Sequence, residues 1–127
     1  MSKTVIIIDD SEFLIQQLKK FFINELKLNV VATGKDGNEA IALYRQFHPD
    51  LITLDITMPN KTGEDAVKEI IAEFPDAKIL IISAVRGDSI LDCMAYGAKG
   101  YIEKPLYFSE TEFVDDFKKT IEEIWEN

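Results

Sequence analysis

Several residue types are scarce in this chain, and each scarcity excludes something. There is one cysteine, Cys93, and one histidine, His48, and 14 basic residues stand against 23 acidic ones for a formal charge of −9. A lone cysteine cannot form an intramolecular disulfide, and a reducing compartment is its simplest setting. Its helical neighbours make Cys93 a packing residue. His48 adjoins the helix-ending Pro49 and reads as a loop residue rather than a ligand or base. The deficit of positive charge would repel nucleic-acid phosphates, so direct DNA binding is not expected. It suits partners with basic or apolar surface. No apolar run approaches the roughly 20 residues of a membrane span, so no membrane insertion is expected. The amino-terminal apolar run is too short for a signal peptide and ends in two acids. A Gly-x-x-x-x-Gly-Lys-Ser/Thr phosphate loop is absent, as are repeats, low-complexity runs and linkers. What remains is one acidic, cytoplasmic domain over residues 1–127, large enough for a proper core.

What is present is an unbroken alternation of strand and helix patterns. Apolar runs at Thr4–Ile8, Leu28–Thr33, Leu51–Leu54, Lys78–Ser83 and Tyr101–Lys104 read as strands. The runs lack polar alternation, which predicts parallel strands buried on both faces. Between them lie helical stripes. Ser11 is placed to cap the first helix, which carries Leu14, Leu18, Phe21 and Phe22. Asp36 and Glu39 have capping-box spacing ahead of a second, whose apolar face is Ala40, Leu43, Tyr44 and Phe47. The third carries Ala66, Val67, Ile70, Ile71 and Phe74. The fourth places Ile90, Leu91, Met94 and Ala95 on one side and stops at Gly97. Ser109 and Glu112 have the spacing of another capping box, and Phe108 is placed to staple onto Phe113. Phe113, Phe117, Ile121 and Ile124 give the last helix its buried stripe. Right-handed crossovers then predict an α/β fold: a flavodoxin-like doubly wound five-stranded parallel sheet, strand order 2-1-3-4-5, with five helices.

The chemistry-bearing residues gather at strand ends. Asp9 and Asp10 close the first strand, Asp55 follows the third ahead of Met58-Pro59, Ser83 ends the fourth, and Lys104-Pro105 follows the fifth. Open α/β sheets build their sites at the carboxyl edge of the strands, and this strand order makes the first and third strands neighbours at the switch point. Three close carboxylates repel one another unless a cation intervenes. Hard oxygen donors suit Mg²⁺, which also takes a phosphate oxygen. Lys104 adds a positive charge and Ser83 a hydroxyl. The set fits phosphoryl transfer to a carboxylate, where catalysis is positioning and charge neutralisation. Asp55, between the metal side and the Ser83–Lys104 side, is the phosphoacceptor. Pro105 allows a cis peptide at low cost.

Asp9-Asp10, Asp55-Ile56-Thr57-Met58-Pro59, Gly63, Ser83-Ala84 and Lys104-Pro105 together resemble the receiver domain of two-component response regulators, and Gly97-Ala98-Lys99 is similar to the single-domain chemotaxis type, CheY. The resemblance covers essentially the whole chain. It implies a stand-alone response regulator that accepts a phosphoryl group on Asp55 from a histidine kinase with Mg²⁺ as cofactor. Slow self-dephosphorylation is expected rather than enzymatic turnover. It implies that Asp10, Asp55 and the backbone carbonyl of Thr57 bind the metal directly and Asp9 through water. Ser83 and Lys104 would bind the phosphoryl oxygens. Ser83 and Tyr101 would form the switch, and Thr57 and Val85 would tune the lifetime of the aspartyl phosphate. The implied partners are the kinase, a phosphatase, and the flagellar switch or another output protein docked on the fourth helix, fifth strand and last helix. Because the chain closes after the fifth helix, output is expected to be non-covalent. The alternatives are an intermediate receiver of a phosphorelay and an aspartate-nucleophile phosphohydrolase. The second needs an acid two positions past Asp55, where Thr57 stands. A flavodoxin-like flavin binder is disfavoured because Asp9 and Asp10 would repel its phosphate.

Overall fold

The computed structural model describes residues 2–126. Its elements run β1 (Thr4–Ile8), α1 (Glu12–Asn24), β2 (Asn29–Gly34), α2 (Gly37–Phe47), β3 (Leu51–Leu54), α3 (Gly63–Glu73), β4 (Ile79–Ser83), α4 (Asp88–Tyr96), β5 (Gly100–Glu103) and α5 (Thr111–Glu126). All strand pairings are parallel and the order is β2-β1-β3-β4-β5, as the alternation predicts.

Side chains alternate across each strand, so the sheet has two apolar faces. One face carries Ile6, Ile8, Ile52, Leu54, Ile79 and Ile81 and is covered by Ala40, Tyr44, Val67, Ile70 and Cys93 of α2, α3 and α4. The other carries Val5, Ile7, Leu51, Leu80, Ile82 and Ile102 under Ile15, Leu18 and Phe22 of α1 and Phe117, Ile121 and Ile124 of α5. Burying each such large side chain stabilises the fold by about 1.5–3 kcal/mol relative to leaving it exposed. Phe21, Phe22, Phe108, Phe113 and Phe117 form one aromatic cluster between α1 and α5, with Phe108 and Phe113 centroids 5.7 Å apart as the staple requires.

Caps explain most helix starts. The Ser11 hydroxyl accepts from the Leu14 amide and Thr62 from the Asp65 amide. Asp36 accepts from the Glu39 amide at 2.8 Å, while the Glu39 carboxylate accepts from Lys35, one residue before the cap. The capping box is therefore displaced by one position. Gly97 ends α4 at φ 125°, its amide and that of Ala98 donating back to Met94 and Cys93. His48 ends α2 in the left-handed region, exposed, with its ring edge-on to Phe74.

Four sequence expectations are corrected. β2 begins one residue later than Leu28, whose side chain is buried against the α1–α5 layer instead. The face of α2 is rotated: Ile41 is buried and Phe47 is exposed. Most of the apolar stripe of α4 faces outward, with Leu91 66% exposed, while Ile90 packs in part against the core and Cys93 is fully buried there. α5 begins at Thr111, after a turn in which the Glu110 amide donates to Tyr107, so Ser109 and Glu112 do not cap it. Spacing alone does not register which side of a short helix meets the sheet.

Candidate functional site

Register builds the site. β1 and β3 pair from Val5↔Leu51 to Ile8↔Leu54, so the residues that follow, Asp9 and Asp55, leave the sheet side by side. The backbone holds them there: the Asp9 amide donates to the Gly34 carbonyl and the Asp55 amide to that of Ile8. β4 and β5 end level at Ser83↔Glu103, and the Lys104 amide donates to the Ser83 carbonyl. Lys104 is thus aimed at the acidic pair by the strand that precedes it.

The side chains meet accordingly. Asp9 is 2% exposed and Asp55 is 7% exposed, whereas Asp10 lies open to solvent. The Lys104 ammonium donates to Asp9 Oδ2 at 2.8 Å and to Asp55 Oδ2 at 3.3 Å. Asp9 Oδ1 accepts from the Ser11 amide and Asp55 Oδ1 from the Ile56 amide at 2.7 Å. Burial is the largest influence on Asp9 and raises its pKa above the ordinary value; the Lys104 and Ser11 bonds work against it. Carboxylate oxygens of Asp9, Asp10 and Asp55 all lie within 4.8 Å of one another. A set of hard oxygen donors, with one ammonium shared between two of its carboxylates, fits a divalent cation such as Mg²⁺.

The loop after Asp55 is held by contacts that leave no room for side chains. A Cβ on Gly63 would lie 2.0 Å from the Asp55 carbonyl oxygen, and the Gly63 amide donates to Ile56. Gly37 opens α2 against the same loop, its amide donating to the Lys61 carbonyl, and the Asn60 side chain donates to Asp36 at 2.8 Å. Local spacing marks Asp36 as a cap and Asn60 as part of the turn after Pro59, and does not single out Gly37. The anchoring of the loop after Asp55 by Gly37 and Asn60 depends on contacts across 24 residues of chain, which local patterns do not carry.

Ser83 is fully buried, and its hydroxyl accepts from the Val85 amide at 3.2 Å. Thr57 is exposed on the loop after Asp55 and Val85 is half-buried after β4. Tyr101 is half-buried on β5, its hydroxyl enclosed without a hydrogen-bond partner and its pKa raised by that burial and by Glu103. Arg86 reaches across from the loop before α4 to pair with Glu103. Phe13, which the sequence did not single out, stands 70% exposed at the rim. With Leu14, Ala84, Pro105 and Leu106 it lines a groove of about 430 Å³ beside Lys104. The Lys104-Pro105 peptide is cis.

Known proteins resemble this chain in sequence and in fold. The profile described as the response regulator receiver domain matches residues 5–116. The chemotaxis protein CheY of Thermotoga maritima is 39% identical over 106 residues, covering 83% of this chain and 88% of the relative. CheY of Bacillus subtilis is 34% identical over 95% of this chain and 99% of its own length. Among solved structures, the CheX–CheY–BeF3–Mg²⁺ complex from Borrelia burgdorferi superposes with a TM-score of 0.87 at 32% identity, covering 97% of this chain and 89% of that one. The response regulator domain of Thermotoga maritima CheB gives a TM-score of 0.82 at 29% identity, over 98% and 94% of the two chains. Among the described residues no helix is long and apolar enough to cross a membrane.

Proposed function

The chain belongs to the response regulator receiver domain family, and on that premise we propose that Asp55 accepts a phosphoryl group from a phosphohistidine on a kinase. The observation that carries the reading is the convergence of Asp9, Asp10 and Asp55 within 4.8 Å, with Lys104 spanning two of them. Asp55 Oδ1 is tied to a backbone amide, which leaves Oδ2, on the Lys104 side, as the attacking oxygen. An O–P bond forms there as the P–N bond to the histidine breaks, and the imidazole leaves to be reprotonated by solvent. Asp10, Asp55 and the Thr57 carbonyl would hold Mg²⁺ directly, with Asp9 contacting it through water. When bound, that ion supplies neutralisation of carboxylate and phosphoryl charge.

The chain's own groups supply the rest. Lys104 gives up its contact with the Asp55 carboxylate for one with the phosphoryl oxygens. Ser83 turns its hydroxyl from the Val85 amide to donate to the same group. Thr57 and Val85, on the two loops that flank Asp55, set how readily water reaches the acyl phosphate. Hydrolysis there is slow and is not turnover on a substrate.

Phosphorylation adds about −1.5 to −2 charge with strong acceptor oxygens. Moving a two-state element from about 1:99 to 99:1 takes ~5.5 kcal/mol of differential contact. One hydrogen bond contributes only ~0.5–3 kcal/mol, so Ser83, Lys104 and the metal side act together. Displacement of Ser83 opens space behind it for Tyr101, whose hydroxyl lacks a partner in the present position. The changed surface is α4, β5 and α5, where Leu91 and Met94 are exposed. Output is docking of that face on a chemotaxis partner such as the flagellar switch, reset by a phosphatase.

The test is intact mass after incubation with acetyl phosphate, with and without Mg²⁺, beside Asp55→Asn. One phosphoryl adduct that needs Mg²⁺ and disappears in the variant is expected. An adduct that survives in Asp55→Asn, or none in the wild type, would sink the assignment.

A further inference from the structure

The output face carries a specific groove, and its lining describes the occupant. Between β5 and α5 lies a cleft of about 470 Å³ bounded by Tyr101, Pro105, Tyr107, Phe113 and Asp116. Tyr107 is 50% exposed and stands edge-on to Phe113 with centroids 6.0 Å apart. The walls are therefore aromatic faces and edges open to a visitor. Both cations on its rim are committed elsewhere: Arg86 to Glu103, and Lys104 to Asp9 and Asp55. The charge left to the groove is the carboxylate of Asp116, exposed on the second turn of α5.

The surroundings share that sign. Glu110, Glu112 and Asp115 are exposed around the start of α5, as are Asp88 and Asp92 on α4. Lys118 turns to Glu25, the residue just past α1, which leaves Lys119 as the opposing charge on the outer part of the helix. On the α4 side the exposed Leu91 and Met94 supply an apolar ridge.

We infer that this groove receives a lysine or arginine side chain from a basic amphipathic segment of the partner protein. Aromatic walls with one carboxylate attract a cation through both ring quadrupole and charge. The aliphatic stem packs on Tyr101 and Tyr107, and apolar residues of the same segment lie on Leu91 and Met94. A second copy of this chain is a poor occupant, because its net charge of −9 repels its like, and nucleic acid is repelled for the same reason. The inference rests on the output face named above but not on the chemistry at Asp55.

A displayed library of amphipathic helices, randomised at its polar positions, tests it by selection on the wild-type chain, untreated and after acetyl phosphate with Mg²⁺. Winning sequences should be enriched in Lys or Arg beside their apolar positions. They should bind Asp116→Lys about tenfold or more weakly, since like charges across an interface are costly. Asp116→Asn should fall between. Amide shifts on binding should map to Tyr101, Tyr107 and Phe113. Enrichment of neutral or acidic sequences, failure to enrich any in either state, or equal binding to Asp116→Lys overturns the inference. Adduct formation scored separately on both proteins keeps this outcome distinct: a missing adduct defeats the phosphoacceptor reading, while the selection on untreated chain still judges the groove.

Discussion

Thr53→Val is expected to make the protein more stable. Thr53 lies in the middle of β3, paired with Ile7 on one side and Leu80 on the other, and is 1% exposed. Strand alternation puts its side chain on the α1–α5 face, among Val5, Leu51 and Ile82. Its hydroxyl is buried without a hydrogen-bond partner. A hydroxyl left unpaired in such surroundings costs about 1–3 kcal/mol. Valine has the same branched shape, so the exchange removes that cost without opening a cavity. The expected gain is ~1–3 kcal/mol, or roughly 3–12 °C in Tm for a domain of this size. Thr53→Ser is the control, because it keeps the hydroxyl and loses a methyl. It should cost about 1 kcal/mol. Both are read by urea unfolding followed at Trp125, whose indole donates to the Asp50 carbonyl at 3.0 Å before β3. Equal slopes against urea would show that only the folded state changed. A loss of stability in Thr53→Val would refute the reasoning and place a water or other partner on the hydroxyl. Phosphoryl uptake should be unaffected, since the buried side chain makes no hydrogen bond to Asp55 and valine keeps its shape.

Lys104→Met should destabilise the fold by about 1–3 kcal/mol at neutral pH, because two enclosed carboxylates lose their shared donor; urea midpoints that match wild type would contradict the pairing. Asp9 has its pKa raised by burial, so its contribution to stability is fully present below the ordinary value of 3.8 and is lost as pH rises through the folded value. Asp9→Asn should therefore exceed wild type in thermal stability at pH 7, with the advantage shrinking on acidification towards pH 4, and a constant difference across that range would count against it. Gly63→Ala should cost about 1–3 kcal/mol or more, because its Cβ would strike the Asp55 carbonyl and displace Asp55; a variant with normal melting and normal adduct formation would show that the loop gives way freely.

Legibility differed between the fold and the site. The doubly wound sheet was readable because buried parallel strands are continuous apolar runs and helices have their own period, and both signals are local. Asp55, Asp9, Asp10, Ser83 and Lys104 were readable as candidates because each polar residue interrupts or follows such a run. The outward turn of Leu91 and Met94 was not readable, since a short helix with apolar residues on several sides offers two packings and only the neighbouring α3 and β5 choose between them. The anchoring of the loop after Asp55 by Gly37 and Asn60 was hidden for a related reason: it rests on contacts between segments distant in the chain.

The sequence by itself thus determined the alternation of elements, the two apolar faces of the sheet and the polar residue at each strand end, all consequences of side-chain period and capping within a few residues. Tertiary structure alone decided that Lys104 is shared between Asp9 and Asp55, that Asp9 is enclosed while Asp10 is open, and that Arg86, on the rim of the groove beside Asp116, is spent on Glu103. Those outcomes depend on strand register and on distances across the fold, because charge and burial act through space between residues the chain itself holds far apart.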